Sequence, residues 1–189
     1  MMKNKSVLSF MLVLFSSSLF ASGYTLDSDL SSVGFSTIKN QFVVEPATIS
    51  HLSGTINESG EFDVAVDISS VETGIPIRNS RLNDILFESL KYPKVKVMGK
   101  VDIANLKDGS YNMTLPANVT FFGKTKSIEF PVIILKSSDY LMVSSSSPVI
   151  VGLSDFGIPN TNLTKLAATV GGIHISDRVP VTITLSFKK

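Results

Sequence analysis

The sequence predicts an all-β protein, a sandwich or barrel of antiparallel strands, and three observations predict it. Apolar residues recur at every second position through several segments, which is the strand period. Turn-forming residues separate these segments at short intervals. Each segment has one apolar face, which must be covered by a second sheet or by closing the sheet on itself.

The segments run as follows. Lys3 and Lys5 precede an apolar stretch from Val7 to Phe15, and Ser16-Ser17-Ser18 and Ala21-Ser22-Gly23 follow. This is the layout of a secretory signal peptide over 1–23, too short in its apolar part to span a bilayer. Cleavage after Ala21 puts Leu19 at the −3 place, and cleavage after Gly23 puts Ala21 there; both sites stay open. Residues 24–189 then form one domain. Strands are expected at Val33–Ile38 and Thr48–Ile56. Phe62, Val64, Val66 and Ile68 alternate with Asp63 and Asp67. Val95, Val97 and Val101 follow, then a strand at Tyr111–Phe122. Ile128, Phe130 and Val132 alternate around Pro131, which suggests an edge strand or a bulge. Leu141–Ser144 and Pro148–Gly152 are weaker, and Val181 to Phe187 closes the chain with a clear alternation. Turns are expected at Asn57–Gly60, Lys107–Gly109, Phe122–Lys124 and Ser137–Asp139.

Two segments break the strand rhythm. Between Ile77 and Leu90, the residues Leu82, Ile85, Leu86 and Leu90 fall on one helical stripe, and Tyr92-Pro93 ends it. From Asn162 to Val170, Leu163, Leu166, Ala167 and Val170 have helical spacing, with Asn162 as a candidate N-cap and Gly171-Gly172 at the end.

Composition narrows the chemistry. The chain has 17 Lys+Arg against 16 Asp+Glu, and loss of Lys3 and Lys5 with the signal peptide leaves 15 against 16. No basic stripe exists, so nucleic-acid binding through phosphate neutralisation is not expected. There is no Cys, and the only two His are His51 and His174. A structural zinc site needs four clustered ligands, so no metal is expected. No GxSxG elbow, GxGxxG or P-loop is present. Arg78 and Arg81 are the best polar candidates. Three residues apart on a helix, they could hold a phosphate or carboxylate head group at a rim; a solvated face or a salt bridge pinning the helix fits them as well.

Several blocks resemble the YceI-like family. Tyr24-Thr25-Leu26-Asp27 with Ser31-Ser32-Val33-Gly34-Phe35 is similar to its opening motif. Ser70-Val71-Glu72-Thr73-Gly74, continuing through Arg78-Asn79-Ser80-Arg81-Leu82, is similar to its central block. Leu86-Phe87 with Lys91-Tyr92-Pro93, Asn118 to Lys126, and Asp155-Phe156-Gly157-Ile158 follow in the family's order. Leu30 stands where the family opens with His, and Gly74-Ile75-Pro76-Ile77-Arg78 is an insertion before the helix. The resemblance implies a lipocalin-like, extended antiparallel barrel of about eight strands with one or two short helices, holding a polyisoprenoid or a quinone-like lipid. No enzyme activity and no resident cofactor are expected, since the sequence offers no good catalytic candidate.

The candidate ligand lining by strand parity is Phe35, Val64, Val66, Ile68, Val95, Val97, Phe121, Ile128, Phe130, Val132, Ile183 and Leu185. Parity fits a dry core as well as a lined tunnel, and the resemblance favours the tunnel. The expectation is a periplasmic carrier or store of a long apolar lipid, with a transient membrane surface or membrane protein as partner and a homodimer left open. Two other readings are an enzyme on a lipid-like substrate, needing a perturbed acid or base in the lumen, and an accessory module docking a membrane redox protein such as a b-type cytochrome, needing an apolar outer patch.

Overall fold

The computed structural model describes residues 23–189, so the expected signal segment lies outside the described residues except for Gly23. Twelve strands follow in chain order: β1 (Tyr24–Leu26), β2 (Ser32–Lys39), β3 (Val43–Ile49), β4 (Leu52–Ile56), β5 (Glu61–Asp67), β6 (Val71–Glu72) and β7 (Lys94–Lys100). The second half adds β8 (Gly109–Phe121), β9 (Lys124–Lys136), β10 (Tyr140–Ser145), β11 (Val149–Gly152) and β12 (Arg178–Lys188). Eight of them, β1–β4–β5–β7–β8–β9–β10–β12, make a ring, and β12 closes it on β1 through Leu26 opposite Phe187. Closure removes the unpaired edges that an open antiparallel sheet would leave.

The barrel is longer than this ring because β12 is shared between two levels. Its last residues pair with β1 and β10, while Val181–Thr184 pair with β2 and Arg178–Val181 with β11. On the upper level β2 and β3 replace β1, and β3 reaches β6, which continues β5 after a 3-10 turn at Ile68–Ser70. The expected strand Thr48–Ile56 is therefore two strands: the chain leaves the upper level at Ile49 and enters the lower at Leu52. β8 and β9 are 13 residues each, roughly 40 Å of strand at ~3.3 Å per residue. Their two-residue turn, Phe122-Gly123, has φ of 51° and 79°, the left-handed pair a type I′ turn needs. Phe122 tolerates that conformation while stacking on Tyr92, with ring centroids 3.9 Å apart.

Pro131 sits within β9 opposite Thr114, on the flank that β10 leaves at Ser145. Its carbonyl accepts from the Ser146 N–H at 3.0 Å. β9 is paired on both sides, by β8 and β10, so the edge strand expected from Pro131 is not found; the missing donor falls just past the last β10 pairing, Ser145 opposite Val132, where its loss costs one ladder bond at most.

The first helical segment is shorter than the stripe suggests. Pro76 opens α1 (Pro76–Arg81) in the place where its missing N–H costs nothing, and a wider π turn, Leu82–Phe87, continues it. Glu88 ends it in a left-handed conformation, φ 48°. The wider turn brings Phe87 into the core beside Leu82 and Leu86, and Leu90, expected on the buried stripe, is 98% exposed beyond the helix end. α2 spans Asn160–Ala168, starting two residues before Asn162. Gly171 and Gly172 follow it with φ of 85° and 73°, and the Gly172 N–H bonds to the Ala167 carbonyl, as a glycine C-terminal stop requires.

Asn162 is not the N-cap; it is buried, and its side chain donates to the Leu86 carbonyl at 3.2 Å and to Glu88 Oε1 at 2.9 Å. It thereby ties α2 to the end of the π turn, and the two short helices lie together over one end of the barrel.

Candidate functional site

The inward side chains do not fill the barrel. A lower cavity of about 80 Å3 is lined entirely by Val, Leu, Ile, Phe and Ala, from Leu52 and Ile56 on β4 to Phe187 on β12. An upper cavity of about 190 Å3 continues it under the helices. Each space alone is below the roughly 300–1,000 Å3 of a typical small-molecule site, so a long ligand would have to occupy both and spread their walls. Val33, Val66, Val97, Phe130 and Ile183 line both cavities and form a waist between them.

Eleven of the twelve sequence candidates face this space. Val64, Val132 and Leu185 line the lower cavity; Phe35, Ile68, Val95 and Phe121 line the upper; Val66, Val97, Phe130 and Ile183 belong to the waist. Ile128 keeps the inward parity but lines neither cavity. The 3-10 turn Leu153–Phe156 packs on its end of β9, where Lys126 pairs with Asp155 at 2.5 Å, and Ile128 is half-buried against the core. Parity also reaches residues outside the expected lining, such as Phe62, Leu115 and Val119. The cap is different in kind: Leu82, Leu86 and Phe87 come from the α1 segment, Leu163 and Leu166 from α2, and Phe156 from the 3-10 turn. Phe121 stands between Phe87 and Phe156, with ring centroids 5.9 and 6.0 Å away, spacings that tilted aromatic pairs favour.

Polar groups gather at one place. A third concavity of about 150 Å3 shares Thr37, Leu82, Leu166 and Ile175 with the upper cavity and opens beside α1. Its collar holds Lys39, Glu45, Arg78 and Arg81, so the sequence candidates Arg78 and Arg81 do meet at the mouth. Glu45 accepts from Lys39 and from Arg78, the latter at 2.8 Å. Arg78 is thus the salt-bridged residue that ties α1 to β3. Arg81 is half-buried and has no hydrogen-bond or ion-pair partner among the described residues. Nothing in the sequence placed Glu45 here, because its partners lie 6 and 33 residues away.

The Lys39 hydrogen bond holds the Glu45 carboxyl below the usual carboxylate range against the opposing effect of burial, and Arg78 adds to the lowering. Asp155 is lowered in the same direction by Lys126 first and then by the Gly152 N–H. A carboxyl whose folded pKa is depressed contributes stability that is present above its unfolded value and lost as pH falls through the folded one. The melting temperature is therefore expected to hold steady down to the ordinary carboxylate values of about 4 and to fall below them, with a shallower fall in Glu45→Gln. Thermal melts between neutral and acid pH check this.

The lumen offers little for catalysis. The lower cavity has no titratable or nucleophilic side chain, and Thr37, Ser176 and Asp177 are the polar residues of the upper one. General acid–base work needs a titratable group within hydrogen-bond reach of the reacting atom. Among the described residues, no group of three or more His, Asp or Glu is placed to hold a metal ion.

The YceI-like domain family model matches residues 24–187. A polyisoprenoid binding domain from Saccharophagus degradans, implicated in plant cell wall breakdown, superposes with a TM-score of 0.82 at 29% identity, over 87% of this chain and 97% of that one. BcnA of Burkholderia cenocepacia superposes with a TM-score of 0.62 at 17% identity, over 85% of this chain and 98% of that one, a likeness of fold alone. No curated protein matches this chain.

Proposed function

This chain belongs to the YceI-like domain family, and from that premise we propose that it binds one long apolar lipid of the polyisoprenoid type in its lumen and carries or stores it in the periplasm. The observation that supports the reading is the pair of adjoining apolar cavities that share Val33, Val66, Val97, Phe130 and Ile183 as a common wall. The similar Saccharophagus degradans domain, which binds polyisoprenoid, supports the ligand class. The signal-like segment at 1–23 supports export.

The energetics suit a carrier. Taking apolar carbon out of water is worth about 0.8 kcal/mol per methylene, so an isoprenoid of tens of carbons free in water would bind beyond any real affinity. The lipid starts among other lipid tails, however, and passes from one apolar medium to another. Transfer is then close to neutral, and loading and unloading are reversible. Arg81, unpaired at the mouth, is the residue proposed to meet a polar or anionic head group, with Arg78 behind it.

Incubation with vesicles containing labelled polyprenol, followed by removal of the vesicles, tests the reading. About one polyprenol per chain is expected in the protein fraction. Label remaining wholly with the vesicles, at every protein concentration, would end it.

A second reading has one observation in its favour. Ile133, Leu135 and Met142 are exposed on the outer wall, with Met142 directly opposite Leu135 across β9 and β10. Such a strip suits contact with a membrane protein or a second copy of the chain.

A further inference from the structure

We infer that the rim of the cavity mouth docks on an anionic lipid bilayer, with Phe42 as the side chain that enters it; the inference rests on the lipid-binding reading above.

The hairpin joining β2 to β3 turns through Asn40 and Gln41, both left-handed with φ of 46° and 66°. Three consecutive apolar residues follow at its tip: Phe42, Val43 and Val44, exposed by 86%, 50% and 60%. Solvated loop tips are ordinarily polar, and a run of exposed apolar side chains that the core does not use marks a contact surface. This tip is held in place. The Asn40 N–H donates to the His174 carbonyl at 2.8 Å, and the His174 N–H donates back to Asn40 Oδ1 at 3.2 Å. The apolar residues are therefore presented on a braced hairpin. Across the mouth, Ile75 and Ile77 at the start of α1 are exposed as well.

Charge favours a bilayer as the occupant over an apolar protein surface. The ionisable residues lining the mouth are three cations, Lys39, Arg78 and Arg81, against Glu45 alone. An apolar tip backed by a cationic collar matches an interface in which acyl chains lie beneath anionic head groups. The mouth also shares Thr37, Leu82, Leu166 and Ile175 with the upper cavity, so a lipid lifted from the docked bilayer would reach the lumen without crossing water.

Co-sedimentation with vesicles tests the inference. Protein is expected to pellet with vesicles of phosphatidylglycerol and phosphatidylethanolamine, less with vesicles of phosphatidylcholine alone, and progressively less as salt screens the attraction. The double variant Phe42→Ser/Val44→Ser, whose two side chains line neither cavity, should partition roughly tenfold more weakly and still take up polyprenol from detergent micelles as the parent does. A parent protein that stays in the supernatant, leaving the rim to a protein partner, or a double variant that pellets like its parent, overturns the docking. Failure of micelle uptake in both proteins would instead count against the lumen as the lipid site, whatever the vesicles show.

Discussion

Val97→Trp is expected to block polyprenol uptake by at least tenfold while leaving the barrel folded. Val97 lines both cavities from β7, flanked across the sheet by Val64 and Val119. An indole there would project into the waist, the place where a chain occupying both cavities must pass. Overfilling a well-packed core costs about 1–3 kcal/mol, or a melting temperature lower by ~2–12 °C in a domain of this size. The waist has free space, so the change should fall at the low end of that range. Uptake from labelled vesicles and a thermal melt on the same sample separate the two effects. A variant that loses stability heavily and keeps its uptake would mean that no ligand threads the waist.

Leu141→Ala should do the reverse. Leu141 has no exposed surface and lines neither cavity; it lies between β9 and β12, opposite Lys136 and Phe187. Its contacts are solid packing, so truncation leaves a new void in addition to the lost transfer energy. Buried Leu→Ala changes cost about 2–5 kcal/mol, roughly 4–20 °C in melting temperature for a domain of this size. Uptake measured well below the new melting temperature should stay near that of the parent. Because Phe187 sits opposite Leu141 and also Leu26, this is the packing that closes the ring, and its loss is felt by β1, β10 and β12 together.

Much of this was legible in the sequence, for a simple reason. A strand projects alternate side chains to opposite faces, so parity in Phe62–Ile68, in Ile128–Val132 and in Val181–Phe187 told which residues face inward, and eleven of twelve do face the hollow. Parity holds along one strand only. It could not foresee the turn Leu153–Phe156 packing where Ile128 looks inward, nor which apolar residues of α2 would cap the barrel. The helical stripe assumes 3.6 residues per turn, while the π turn after Arg81 is wider. Leu90 therefore fell outside and Phe87 took the inward place. Asn162 resembles a cap by type and position; its actual partners, Leu86 and Glu88, lie more than seventy residues earlier. The collar of Lys39, Glu45 and Arg78 is another long-range fact, since only the folded sheet brings β3 against α1.

Whether the lumen holds lipid in the organism is read most directly by native mass spectrometry of protein purified from its own host without added lipid. The account predicts a population heavier than the bare chain by one discrete lipid mass, shifted to the bare mass by organic extraction. A single peak at the bare mass, from protein that nonetheless takes up no polyprenol from vesicles, would contradict it.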